Sequence, residues 1–60
     1  MFVKLTKEDD KKFFVNSEAI LIIKPAEETS GSTLILKGYE SGVNVKETPG
    51  KVAEYLRSLR

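Results

Sequence analysis

The chain is 60 residues long, contains neither cysteine nor histidine, and carries ten basic against nine acidic side chains, for a net charge of +1. A chain of this length forms one domain, near the lower limit at which proteins fold without disulfides or metal ions. Its residue types exclude both a disulfide and a conventional zinc site. The charge balance argues against a protein that functions mainly through contacts with phosphate.

The apolar segments are too short for a membrane protein. The longest unbroken one, residues 19–23, has five residues, whereas a membrane-spanning helix needs about 20. The N-terminal segment also lacks the long apolar stretch of a secretory signal. We therefore expect no membrane insertion, and the absence of cysteine is compatible with a reducing compartment. The sequence predicts a cytoplasmic protein.

The N-terminal part of the chain has the pattern of a β-hairpin. Residues 2–7 are rich in strand-forming types and alternate in polarity, which predicts a first strand. The charged residues 8–11 predict a turn, and Phe13-Phe14-Val15 predicts a second strand over 12–16. Asn16 is then expected to cap a short helical turn over residues 17–19.

Three more strands follow, near residues 20–25, 33–37 and 43–46. The all-apolar tetrad Ile20–Ile23 predicts a strand that is buried on both faces or covered by a neighbour, and Pro25 marks its end. A polar loop leads to Thr33-Leu34-Ile35-Leu36. Gly38 and Gly42 flank the next reversal, where glycine permits a positive φ.

The last segment changes to a helical period. Thr48-Pro49 is a helix-start signature, because a hydroxyl cap is followed by a proline whose missing N–H costs nothing there. We expect a helix near residues 49–59, with Val52, Leu56 and Leu59 facing the sheet and Arg57 and Arg60 near the negative pole of the helix dipole. The sequence thus predicts an α+β fold in a single domain, residues 1–60. About five short antiparallel strands form one meander, whose curling into a barrel is left open, with one C-terminal helix.

No catalytic or metal-binding constellation is present. Without histidine or cysteine the commonest general base and the commonest activated thiol are missing, and the serines lack a nucleophile motif. The acidic run Glu8-Asp9-Asp10 does not match a calcium-loop pattern and is better explained as a solvated turn. The glycines do not form a phosphate-binding loop. The sequence predicts a non-enzymatic protein with no catalytic, cofactor-binding or metal-binding residues and no cofactor.

Binding is the remaining class of function. A helix can cover only one face of the sheet, which leaves the other face and the strand edges, led by residues 2–7, open to a partner strand. Phe13 and Phe14 point to opposite faces of one strand, so at least one of them belongs to the core, and which one is exposed stays open. We expect a protein partner or a second copy of the chain. The candidate interaction surface comprises Phe2, Lys4, Phe13, Phe14 and Tyr39.

The order of these motifs resembles a known family. Lys4-Leu5-Thr6, a charged turn, Phe14-Val15-Asn16, a Glu-x-Ile step at Glu18, a Thr-x-Ile strand at Thr33 and the segment Val43–Thr48 before a short helix occur in this order. Together they resemble the FlbD/SwrD-like family of bacterial proteins linked to flagellar motility, and small bacterial and phage proteins of the same pattern. The resemblance spans most of the chain and implies a role accessory to motility, with no catalytic motif to carry over.

The alternative function is nucleic-acid binding. Aromatic side chains interleaved with Lys4, Lys7, Lys12 and Lys37 would stack bases as in single-strand binders. Residues 16–59 are also similar to part of a LytTR-type DNA-binding domain. The charged residues of the loops 8–11, 26–32 and 38–42 are acidic except for one lysine, however, which is the wrong sign for phosphate.

Overall fold

The computed structural model describes residues 1–59, so the expectation for Arg60 lies outside the described residues. The fold is α+β, as predicted: five antiparallel strands in two small sheets, a single 3₁₀ turn and one α-helix are found in this part of the chain. The elements in chain order are β1 (Phe2–Thr6), β2 (Lys12–Asn16), the 3₁₀ turn (Ser17–Ala19), β3 (Ile20–Pro25), β4 (Ser32–Leu36), β5 (Val43–Val45) and α1 (Pro49–Arg57).

Strands β1 and β2 form a regular antiparallel hairpin. Their register pairs Phe2 with Asn16 and Thr6 with Lys12. The connecting turn is closed by the Lys7 N–H, which donates to the Lys11 carbonyl at 2.8 Å. Asp10 has a φ of 70°, a conformation that aspartate tolerates better than most residues. The charged turn thus connects the two strands without a glycine.

The second sheet has the order β3-β4-β5, and the predicted single meander is wrong because β2 and β3 do not pair. The 3₁₀ turn between them uses its backbone groups to connect the two sheets. The Ser17 N–H donates to the Met1 carbonyl at 2.7 Å, and the Ala19 carbonyl accepts from the Lys37 N–H at 2.7 Å. The two sheets also meet at a second point, where Lys7, the residue after β1, forms an isolated antiparallel bridge with Val45 of β5. Curling of one continuous sheet toward a barrel is therefore not supported.

The core lies between the inner faces of the two sheets and the helix. Thr48 caps α1 by accepting from the Lys51 N–H at 3.2 Å, Val52 is fully buried, and Leu56 and Leu59 pack half-buried against the core. The helix ends at Arg57, two residues short of the predicted end. The buried apolar side chains are Val3, Leu5, Val15, Leu34, Leu36, Val45 and Val52.

Strand β3 differs from its prediction. It lies at the edge of its sheet, and Leu21 and Ile22 are 62% and 53% exposed, so the expectation that the tetrad is buried or covered is wrong. The register with β4 shifts between Ile20 and Ile22, and this irregularity turns Leu21 outward. Of the four side chains in the tetrad, two pack against the core, namely Ile20 and Ile23.

Candidate interaction surface

The face of the β1–β2 hairpin that points away from the core is apolar and basic. Because side chains alternate along a strand, Phe2 and Lys4 lie on the face opposite to the buried Val3 and Leu5. Lys4 is directly opposite Phe14, and Phe2 is diagonal to Phe14, a spacing within reach of aromatic side chains. Phe2 is 64% and Phe14 67% exposed. We call this surface the hairpin outer face: Phe2, Lys4, Lys12, Phe14 and Asn16.

Two residues of the predicted surface lie elsewhere. Phe13 is opposite Leu5 on the inner face and packs half-buried against the core, so Phe14 is the exposed member of the pair. Tyr39 is 65% exposed but lies in the loop between β4 and β5, where its N–H donates to the Leu36 carbonyl at 3.1 Å. The structure therefore brings together Phe2, Lys4 and Phe14 on one face and does not place Phe13 on it.

Strand β2 presents a free edge. The Thr6 N–H and carbonyl are bonded to Glu47 and Lys46, so Thr6 points its backbone groups away from β2. Thr6 and Lys12 therefore form a pair that exchanges no hydrogen bonds, and in such a pair the backbone groups of both residues point away from the partner strand. The pattern repeats at every second residue along the strand. Lys12, Phe14 and Asn16 consequently direct their N–H and carbonyl groups to the outer side of β2, where no strand among residues 1–59 pairs with them.

The other edges are less open. The β1 edge was expected to be the main contact edge, but the backbone groups of Thr6 on that edge are already bonded. The C-terminal end of α1 lies beside the first residues of β1, and a depression between them is lined by Phe2, Val3, Lys4, Tyr55, Ser58 and Leu59. The β3 edge carries the irregularity at Leu21 and ends in Pro25. Bulges and prolines are devices that prevent strand addition. Strand β2 has neither, and its register with β1 is unbroken.

Glu47 closes the β1 edge. Its carboxylate accepts hydrogen bonds from the Thr6 N–H, at 3.0 Å to Oε1 and 3.1 Å to Oε2, and from the Thr6 hydroxyl at 2.9 Å. The Glu47 carbonyl accepts from the buried Ser32 hydroxyl at 2.6 Å. Lys12 donates from Nζ to the Thr6 hydroxyl oxygen at 2.7 Å. This cluster joins both sheets to the start of the helix and holds one lysine of the hairpin outer face.

The Glu47 cluster has no clear signature in the sequence, because Thr6 and Glu47 are 41 positions apart and no local pattern connects them. The sequence holds one weak signal, an acidic residue immediately before the helix cap, and this signal does not identify Thr6 as the partner. The 9% exposure of Thr6, on a face where its neighbours Phe2 and Lys4 are exposed, is a feature of the folded structure.

Burial raises the pKa of Glu47, but hydrogen bonds from Thr6 and from its own backbone N–H, together with the charge of Lys12, outweigh it and hold the pKa below its ordinary value. The folded state therefore binds this proton less tightly than the unfolded state does. The stabilisation is fully present above the ordinary pKa of 4.5 and is lost as the pH falls through the lower folded value.

We expect Glu47→Gln to lower the free energy of unfolding by about 1–2 kcal/mol at neutral pH. The substitution removes the negative charge that accepts the three Thr6 hydrogen bonds and leaves only one accepting oxygen. The variant should also lose less stability than the wild type on acidification. Urea unfolding at a series of pH values measures both effects. The control is Glu28→Gln, in an exposed loop. An acid profile of Glu47→Gln that is parallel to that of the wild type would contradict the assignment.

The acidic turn behaves as a solvated turn. Glu8, Asp9 and Asp10 are exposed, the Asp9 carboxylate accepts from the Lys11 N–H at 3.1 Å, and Asp10 forms an ion pair with Lys46. The hydrogen bond and charge of Lys46 lower the pKa of Asp10. Within residues 1–59 the structure contains no cluster of three or more acidic side chains arranged to hold a metal ion.

An open groove lies beside the β3–β4 loop and is lined by Glu8, Lys24, Pro25, Ala26, Glu27, Glu28, Thr29, Thr33 and Asn44. Inside it the Thr33 hydroxyl donates to the Asn44 side-chain oxygen at 2.6 Å. Among residues 1–59, every buried side-chain nitrogen or oxygen has a hydrogen-bond partner, and this includes the residues that line the groove.

None of the helices formed by residues 1–59 has the length and apolar character needed to cross a membrane.

The comparisons with known proteins returned no match: no family model, no curated protein and no solved structure corresponds to this chain.

Proposed function

We propose that this protein is a small non-enzymatic protein–protein interaction module, which binds an extended segment of a partner along the β2 edge. The observation that carries the proposal is the set of outward backbone groups at Lys12, Phe14 and Asn16, beside the exposed ring of Phe14. Strand addition of this kind takes its affinity from main-chain hydrogen bonds and its specificity from alternate side chains.

The chemistry of the hairpin outer face specifies the partner segment further. Phe2 and Phe14 offer exposed apolar area, and exposed aromatic side chains are frequent anchors at interfaces. Lys4 gives the same face a positive charge, whereas the Lys12 ammonium is bonded to the Thr6 hydroxyl beside the Glu47 carboxylate. A partner strand with apolar residues at alternate positions and a carboxylate near Lys4 fits this arrangement. The resemblance to the FlbD/SwrD-like family supports placing this contact in a motility-accessory process.

Peptide display tests the docking proposal. We expect a library of extended peptides to yield binders that shift the NMR amide signals of residues 12–16, and Phe14→Ser to weaken their binding about tenfold or more, equivalent to 1.4 kcal/mol or more. The matched control is Leu21→Ser, at a leucine exposed to a similar degree, which should leave binding unchanged. Binders that shift only the β3 signals, or that tolerate Phe14→Ser, would refute docking at β2.

A second candidate function, binding of single-stranded nucleic acid, has one observation in its favour. Lys4 and Lys12 share the outer face with Phe2 and Phe14, which is the combination of cations and stacking rings that such binders use. The proposed module does not need it, and we expect no binding of oligothymidine or oligouridine at low salt. Binding that falls steeply with salt concentration and is lost in Phe14→Ser would favour this candidate instead.

A further inference from the structure

The Lys12 ammonium is turned away from the free edge of β2. Its Nζ donates to the Thr6 hydroxyl oxygen at 2.7 Å, and Thr6 lies opposite Lys12 on β1, which is on the side of β2 away from that edge. We infer that Glu47, acting through Thr6, holds Lys12 in this position and thereby sets the charge preference of the β2 edge. The inference rests on the strand addition of the proposed function and names a residue that controls its specificity.

Glu47 makes the Thr6 hydroxyl an acceptor for Lys12. The hydroxyl donates its own proton to the Glu47 carboxylate at 2.9 Å, so its oxygen lone pairs are left for the ammonium. The Thr6 N–H, which donates to both carboxylate oxygens, fixes the carboxylate beside the hydroxyl. The opposite charges of Lys12 and Glu47 also attract each other across this bridge. Glu47 is therefore a positioning residue for Lys12.

The acidic turn, residues 8–10, is close to Lys12 in sequence but does not hold its ammonium. The side chains of the turn are exposed, and Asp10 is paired with Lys46, whose hydrogen bond and charge lower the pKa of Asp10 more than the charge of Lys12 does. Within residues 1–59 the Lys12 ammonium donates to one acceptor, the Thr6 hydroxyl. Its position thus depends on that acceptor and on the negative charge beside it.

The position of the ammonium decides what a docked strand meets at this end of β2. Proteins use charged side chains on edge strands, lysine above all, to prevent strand addition. Because Lys12 extends over Thr6, a docked residue facing Lys12 meets the methylene stem of the lysine instead of its charge. We expect an uncharged residue there to bind as well as an acidic one. A released ammonium would favour a carboxylate, since opposite charges on facing residues stabilise a strand pair.

Amine labelling tests the position of Lys12 in the free protein. An ammonium held in a hydrogen bond must leave it before the amine reacts. We therefore expect a trace of an acetylating reagent to modify Lys12 about twofold or more slowly than Lys4, an exposed lysine of the same face. Glu47→Gln should bring the two rates together, and Glu28→Gln should not. Equal rates in the wild type, or a difference that survives Glu47→Gln, overturn the inference.

A pair of matched peptides tests the charge preference. A displayed peptide that binds along β2 is made in two versions, with glutamate or glutamine at the position that faces Lys12. We expect the wild type to bind both within about twofold, and Glu47→Gln to favour the glutamate version by about threefold or more. Adding Lys12→Met to Glu47→Gln should remove this preference. The same exchange at the position that faces Asn16, at the other end of β2, is the control and should give no difference between the variants.

The possible results distinguish this inference from the proposed function. If no peptide shifts the β2 signals, the proposed function fails, and the specificity assigned to Glu47 fails with it. If peptides bind along β2 but the wild type and Glu47→Gln share one charge preference, Glu47 does not control specificity. The inference is then overturned, while docking at β2 stands. Circular dichroism of each variant verifies that the comparison is made between folded proteins.

Discussion

Replacing Leu34 by alanine should remove most or all of the protein's stability at room temperature. Leu34 is fully buried in the central strand β4, and leucine-to-alanine changes at such sites cost about 2.7–5 kcal/mol. A domain of this size has roughly 3–5 kcal/mol of core stabilisation to lose. The β4 strand also has partners on both sides, which limits how far the site can collapse around the cavity.

The measurement is urea unfolding followed by circular dichroism, with Leu21→Ala as the matched control. That change removes the same atoms from a side chain that is 62% exposed, so we expect an effect within about 0.5 kcal/mol. Equal losses for the two variants would contradict the burial that separates them. A folded Leu34→Ala protein with wild-type cooperativity would show that the second sheet contributes little to stability.

Gly31→Ala is the second change with a large expected effect. A Cβ at Gly31 would lie 2.1 Å from the backbone carbonyl oxygen of Val45, so either the β3–β4 loop or strand β5 must move. Overpacking of this kind costs about 1–3 kcal/mol, and more when the obstacle is backbone. Because Val45 also bridges to Lys7, the displacement of β5 should weaken the contact between the two sheets.

Gly50→Ala is the internal comparison for this prediction. Nothing lies within 4 Å of a Cβ at Gly50, which is in the first turn of α1, and in a helix interior alanine is favoured over glycine by about 0.8–1.0 kcal/mol, which is the upper limit for a first-turn position. The same substitution should therefore destabilise at one glycine and stabilise at the other. Thermal unfolding of both variants gives the signs directly, and a stable Gly31→Ala protein would mean that β5 yields at little cost.

The local elements of this fold follow from local chemistry. The alternation of Val3 and Leu5 predicts β1, and Thr48-Pro49 predicts the first residue of the helix, since the cap and the proline act within one turn. The inner stripe of α1 follows from a helical period. In each case the residues that decide the structure are within four positions of each other.

The arrangement of the strands does not follow in the same way. Whether β2 pairs with β3 depends on what the 3₁₀ turn at Ser17–Ala19 does with its backbone groups, and these bond to Met1 and Lys37, residues distant in sequence. The tetrad Ile20–Ile23 reads as buried because it is apolar, but a strand at the edge of a sheet exposes such residues. The exposed member of Phe13 and Phe14 likewise depends on which hairpin face meets β4 and α1.

The candidate surface was only partly predictable for the same reason. Phe2, Lys4 and Phe14 were recognisable as aromatic or basic residues on strands, and alternation separates Phe13 from Phe14. That β2 rather than β1 has the open edge depends on Glu47, whose carboxylate reaches Thr6 from 41 positions away. Tyr39 lies in a loop, where no periodicity indicates which surface it joins.

The separation between Thr6 and Glu47 has a consequence for biosynthesis. At about 5–20 residues per second, a ribosome needs roughly 2–8 s to add the 41 positions between them. Within that interval, once Asn16 has been added, the nascent chain contains both strands of the hairpin and its turn, but neither the carboxylate that closes β1 nor the helix that packs on the core. A hairpin alone is marginally stable in water. The first half of this protein therefore leaves the ribosome as an unfinished structure, and its folding is completed by the residues made later.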